Sequence, residues 1–237
     1  MKPSFAGLPR RGSGDSGTSH ALKPNTIMKQ FLQMLHTQRM DDHRYYHHSR
    51  VNQSLHFISA ISFLVAYGFF FYEPAYAALI GWLISMPSRQ LGHFFFEPRS
   101  YDEVNEATHE YKEEIKVGYN LQRKVVLMAL WAAIPTVLLA DRTFFGLLAT
   151  PAGWKGYFRS LGAVWLWLGI GGLLFRTAHL FLLKDVQTGL VWMTKILTDP
   201  FHDIKLYHGA PLRLLHGEWV DPMTHIRDGR HQPPAAV

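Results

Sequence analysis

The chain has 237 residues, no cysteine, a 48% hydrophobic composition and a formal net charge of +6. The lack of cysteine excludes disulfides, thiolate metal sites and cysteine nucleophiles together. The positive charge comes with no nucleic-acid-binding motif, so no nucleic acid is expected as a partner; beside long apolar runs, basic residues instead mark a cytoplasmic face and its anionic lipids.

Hydropathy averages near zero only because very different regions are mixed. Residues 1–42 form a polar, basic tail with Gly, Ser and Pro crowded into its start; it is expected to be partly disordered, and it lacks the apolar core of a secretory signal. A membrane-crossing helix needs about 20 mainly apolar residues, and residues 54–72 supply the first such run. Residues 75–96 supply a second, whose later half carries Ser85, Pro87, Ser88, Arg89, Gln90 and His93. Residues 125–140 are apolar, short and contain Pro135. Residues 161–183 form a fourth run, with Trp165 and Trp167 near one end and Arg176 and His179 near the other. Residues 186–197 read as an amphipathic helix at the interface, and residues 199–237 as a polar tail. The fold expected is an all-α integral membrane bundle of about four spans over residues 43–198, with a cytoplasmic amphipathic C-terminal region.

Lys and Arg bias sets orientation. The link at Glu73-Pro74 carries neither, whereas both tails and the 99–124 segment are rich in them. Both termini and the 99–124 segment are therefore expected on the cytoplasmic side, in the inner membrane of a bacterium or the endoplasmic reticulum of a eukaryote. This topology places His43, His47, His48 and His56 at the cytoplasmic start of the first span, His93 at the cytoplasmic end of the second and His179 near that of the fourth.

Histidine is the commonest side-chain metal ligand, and ionisable groups at membrane depth are costly. In His47-x4-Asn52-x3-His56, a helix starting before residue 48 would align 48, 52 and 56 on one face, with Asn52 able to orient a ligand imidazole. The plainer reading makes His47 and His48 solvated residues ahead of a span. In Arg89-x3-His93-x3-Glu97 the three side chains share a helix face. His93 can bind metal, Glu97 can coordinate or hold His93, and the forked guanidinium of Arg89 suits a substrate carboxylate; the alternative is a snorkelling arginine with an ion-paired glutamate. Arg176-x2-His179 is a weaker echo. Thr198-Asp199-Pro200 reads as a helix start, after which His202 is a further candidate ligand. Glu106 and His109 lie in a run of charges better explained as a solvated face.

His47-x4-Asn52-x3-His56 followed by Gly92-His93-Phe94-Phe95-Phe96-Glu97 resembles the Mpo-type 2-hydroxy fatty acid (2-hydroxypalmitate) dioxygenases, a family of small multi-span membrane proteins. The resemblance covers residues 43–98. It implies an Fe(II)-dependent oxygenase that shortens a 2-hydroxy fatty acid by one carbon, with His47, His56 and His93 as iron ligands and Asn52 and Glu97 in support. His48 has an equal claim by spacing, and His202 and His179 are further candidates for the remaining coordination. The chain departs from the family in Pro98-Arg99-Ser100-Tyr101-Asp102, which replaces a Pro-Ala run, and in its charged 99–124 segment. The partners expected are membrane lipids and a lipid or fatty-acid substrate. A di-iron lipid hydroxylase or desaturase would need more clustered histidines, and a non-catalytic scaffold or accessory subunit would need none.

Overall fold

The computed structural model describes residues 24–103, 105–118 and 121–223. Among these, the regular structure is helical apart from isolated bridges at Ser49–Val220 and Asp102–Ala107. The chain runs through α1 (Pro24–Tyr46), α2 (Arg50–Phe70), α3 (Pro74–Ile80), a π-helical turn (Gly81–Ser85) and α4 (Met86–Phe95). It continues through α5 (His109–Ile115), α6 (Leu121–Ala140), α7 (Gly153–Leu183), α8 (Val186–Tyr207) and α9 (Ala210–Leu215).

Among the described residues three helices are long and apolar enough to cross a membrane: Arg50–Phe70, Gln122–Ala140 and Gly153–Leu183. In the first of these the burial pattern is inverted relative to a water-soluble bundle. In α2 the buried residues include Arg50, Asn52, Gln53, Ser54, His56 and Ser59, while Ile58, Ile61, Val65 and Phe69 face outward. Such an arrangement suits a hydrocarbon solvent, where apolar side chains lose nothing by exposure and polar ones must find partners inside.

The second predicted span is helical from Pro74 to Phe95 but is interrupted by the π turn. Pro87 has no amide hydrogen and its ring crowds the carbonyl four residues back, inside that wider turn. Pro135 sits inside α6. It cannot bond the carbonyl of Trp131, and the indole Nε1 of Trp165 donates to that oxygen instead, at 3.1 Å. The carbonyl of Pro135 in turn accepts from the Tyr157 hydroxyl at 3.0 Å. An apolar cluster of Ala78, Trp82, Leu138, Leu161 and Trp165 ties α3, the π turn, α6 and α7 together. A side chain at Gly162 would meet the carbonyl oxygen of Ala75 at 2.2 Å, so α7 approaches α3 closely only because this residue is glycine.

Several predicted boundaries move. Residues 24–42, read as tail, are helical in α1, while residues 1–23 and 224–237 lie outside the described residues. The first span starts at Arg50 rather than Ser54 because Ser49 caps it, accepting from the Val51 amide at 3.2 Å. The expected helix start at Thr198-Asp199-Pro200 is overturned: α8 continues through Pro200 to Tyr207. The two cap candidates face across to other helices, with Thr198 accepting from Arg39 at 2.6 Å and Asp199 paired with Arg39 and Arg89, as well as with Lys195 one turn earlier on α8.

Candidate metal centre

The sharp turn between α1 and α2 aims His47 inward. Asn52 Nδ2 donates to the carbonyl of Tyr46 at 2.9 Å, Gln53 Nε2 to that of His47 at 2.8 Å, and the Asp221 amide to that of His48 at 2.7 Å. Each carbonyl of the turn thus has a donor, as buried backbone requires. Residues 219–221 act as a strap: the Arg50 amide donates to the carbonyl of Trp219 at 2.9 Å, and Asp221 Oδ2 accepts from Arg50 and Gln53 at 2.8 and 2.9 Å.

From this turn His47 meets His56, a turn and a half into α2, and His93, near the end of α4. One ligand atom from each of the three lies within 4.8 Å of the others. The ring centroids are 4.0 Å apart for His47–His56, 5.0 Å for His56–His93 and 5.4 Å for His47–His93. The close crossing of α4 over α2 depends on Gly92, where an added Cβ would stand 2.1 Å from Asn52 Oδ1 and 3.5 Å from the His56 ring.

His93 and His47 are held from behind. Glu97 Oε2 accepts from His93 Nδ1 at 2.8 Å, and its other oxygen accepts from Lys116 at 2.9 Å. The Tyr207 hydroxyl is 2.7 Å from His47 Nδ1 and 3.1 Å from His43 Nδ1. Asp203 Oδ2 is 3.5 Å from His56 Nδ1, an ion-pair distance too long for a hydrogen bond. The ring nitrogens left without hydrogen-bond partners include His47 Nε2 and both of His56, all buried. Burial, followed by the neighbouring His56 and His43, holds His47 well below its ordinary pKa and therefore neutral, the form that ligates. Three convergent imidazoles, two of them with orphaned nitrogens and one with a carboxylate behind it, fit a first-row metal ion.

Asp199, Asp203 and Tyr207 form an i, i+4, i+8 stripe on α8, which sequence reasoning missed as a unit. It faces a buried charge network. Arg89 lies 3.4 Å from Asp199 and 3.3 Å from Asp203, Arg39 is 3.3 Å from Asp199, and Lys195 bridges Asp42 and Asp199. Against the burial that would lower it, Asp199 and Asp42 hold Lys195 above its ordinary pKa, so the ammonium is charged.

The remaining predicted residues fall elsewhere. His48 is excluded from the trio because α1 ends before it: its Nε2 turns to Asp102 at 3.4 Å and Asn105 at 3.2 Å. His179 accompanies Arg176, whose guanidinium bonds the carbonyls of Val117 and Gly118. His202 lines a small polar recess that also includes His47, Arg89 and Tyr207, outside the trio. Asn52 does not bond an imidazole; it holds the Tyr46 carbonyl, and its Oδ1 is buried without a partner. Arg89, expected to receive a substrate carboxylate, is already paired with two aspartates.

A chamber of about 430 Å³ opens beside the trio. His93 and Arg89 are on its wall, and Phe63, Trp82, Trp165 and Ile196 line its apolar part. That volume lies in the range of about 300–1,000 Å³ usual for small-molecule sites.

No protein-family model, no curated protein and no solved structure matches this chain. Fold and site together define an all-helical protein with membrane-length apolar helices that gathers three imidazoles able to hold a metal ion at one end of the bundle.

Proposed function

We propose that the chain is an Fe(II)-dependent membrane dioxygenase that shortens 2-hydroxy fatty acids by one carbon. The observation that carries the reading is the double position of His93, at once a member of the imidazole trio and part of the wall of a mostly apolar chamber. Imidazole donors suit several first-row metals; iron is preferred because the residues that converge, His47, His56 and His93, are those of the Mpo-type motif.

Iron held by these three rings would keep open positions for dioxygen and for the 2-hydroxyl of the substrate. The chain's own residues set the stage. Glu97 fixes the His93 tautomer by accepting from Nδ1, which leaves Nε2 for the metal. Tyr207 orients His47. The apolar wall excludes water along the acyl chain, and the paired charges of Arg89, Asp199 and Asp203 lie behind the reacting end.

In this reading the helical run from Pro74 to Phe95 is a fourth span. Both termini and the 99–124 segment are cytoplasmic, in the inner membrane of a bacterium or the endoplasmic reticulum of a eukaryote. Aerobic incubation of the Fe(II)-loaded protein with 2-hydroxyhexadecanoic acid, followed by mass spectrometry, is expected to yield the one-carbon-shorter acid and to fail after chelation. Absence of that product from iron-loaded protein would reject the activity.

A further inference from the structure

Four cations and two carboxylates line the chamber, the carboxylates being Asp41 and Asp42. Three of the cations are committed. Arg89 is paired with Asp199 and Asp203, Lys195 with Asp42 and Asp199, and Lys116 with Glu97 and Glu113 at 2.9 and 3.1 Å. Lys124 is the exception: among the described residues no carboxylate pairs with it and no hydrogen bond reaches its ammonium.

The position of this lysine is unfavourable without a ligand. It stands in the first turn of α6, within the apolar stretch Gln122–Ala140, where an unpaired ammonium is costly. The positive end of the helix dipole adds to the cost. Lys124 shares the chamber wall with His93 and with Lys116, whose partner Glu97 holds the His93 ring, and so belongs to the metal-binding end of the chamber. On the same wall, Gln90 carries a buried Oε1 with no partner, an acceptor that a ligand hydroxyl can satisfy. Away from this end the lining is apolar, contributed by residues such as Phe63, Leu127, Trp165 and Leu173.

We propose that Lys124 receives the carboxylate of a free long-chain acid lodged in the chamber, and so makes the site selective for the acid over its neutral esters. The proposal deepens the lipid reading above and rests on its acyl substrate, not on its metal. An ammonium has three donors and a full charge to offer. A carboxylate gains a charge-assisted hydrogen bond that an ester cannot reproduce, while both share the same apolar wall. Lys124 is thereby a specificity-determining residue.

The test is equilibrium binding of radiolabelled 2-hydroxyhexadecanoic acid and of its methyl ester to the full-length protein in detergent micelles, with metal content measured on the same samples. Wild type is expected to prefer the acid by roughly tenfold or more, as a hydrogen bond to a charged group implies. Lys124→Met should bind the acid no better than the ester, with ester affinity and metal content unchanged, and Lys124→Arg should keep the preference. Retained ester binding reports that the variant is folded. An unchanged acid-to-ester ratio in Lys124→Met overturns the proposal, as does a wild-type ratio near one even if the variant fails to fold. Acid binding that depends on Lys124 in a protein that yields no shortened product would uphold this site and reject the oxygenase instead. Product formation with an unchanged ratio in Lys124→Met would do the reverse.

Discussion

Gly92 is the residue on which the geometry of the centre turns. A methyl group there would stand 2.1 Å from Asn52 Oδ1, itself anchored through Nδ2 to the Tyr46 carbonyl. Gly92→Ala is therefore expected to cost about 1–3 kcal/mol by overpacking and to weaken metal binding by moving His93 away from His56. Gly68→Ala, at an exposed position of α2 with no atom within 4 Å of the added carbon, is expected to be neutral or stabilising by about 0.5–1 kcal/mol. Thermal unfolding of the two variants in one detergent checks the contrast, and equal behaviour would mean that the helices do not cross as described. Glu97→Gln keeps the size of the side chain but removes the charge between His93 and Lys116. Metal affinity is expected to fall about 10–100-fold, as for other lost supporting partners, read by competition with a chelator. At this scale the sequence showed His93 and Glu97 well, because i, i+4 spacing on one helix fixes a shared face. It could not separate His47 from His48, because that choice depends on where α1 ends and on a strap from residues 219–221. Nor did it show that Arg89 would be neutralised by two aspartates more than a hundred residues away.

The elements around the turn explain why so small a segment is well defined. The 219–221 strap bonds to backbone on both sides of His47, and its anchor is Asp221. Burial opposes ionisation of Asp221, but the hydrogen bond from Gln53, the Met223 amide and the charge of Arg50 together hold its carboxyl below the ordinary value of 3.8. The folded pKa is the lower one, so the stabilisation is complete above 3.8 and is lost as pH falls through the depressed folded value. Asp221→Asn is expected to lower stability at neutral pH by about 1.5–3 kcal/mol, the worth of hydrogen bonds to a charged group. It should also remove this component of the acid-induced loss. Parallel acid titrations of apparent stability check both expectations, and coincident wild-type and variant curves would mean the strap is not held by this carboxylate. Helix identity was largely legible in the sequence because long apolar runs persist through Pro135, whose freed Trp131 carbonyl is taken by Trp165. The run through Pro200 was misread. Thr198 and Asp199 look like caps in sequence, and only the partners across the bundle, Arg39 and Arg89, show that they serve tertiary contacts instead.

For the whole molecule, the polar buried face of α2 and the clustering of polar groups at one end of the bundle belong together. The far end holds the Glu73–Arg159 pair, the Asp141–Thr143 turn and the exposed Arg142 and Lys155. The native chain has no cysteine, so single cysteines report topology without background. A membrane-impermeant maleimide applied to intact spheroplasts is expected to label Arg142→Cys but not Glu103→Cys, both exposed positions, and to reverse that preference in inverted vesicles. Labelling of both from one side would overturn the proposed orientation. Composition and the long apolar runs made the class of fold readable at this scale; the chamber was not, because its wall is assembled from residues spread over α1 to α8. The most direct test of the central claim is metal content of the purified full-length protein and of its single histidine variants. The account predicts about one metal ion per chain in wild type, as a single three-imidazole site implies. It predicts loss in His47→Ala, His56→Ala and His93→Ala, and retention in His48→Ala and His179→Ala. Full metal content in any of the first three, or none in the wild-type protein after loading with Fe(II), would contradict it.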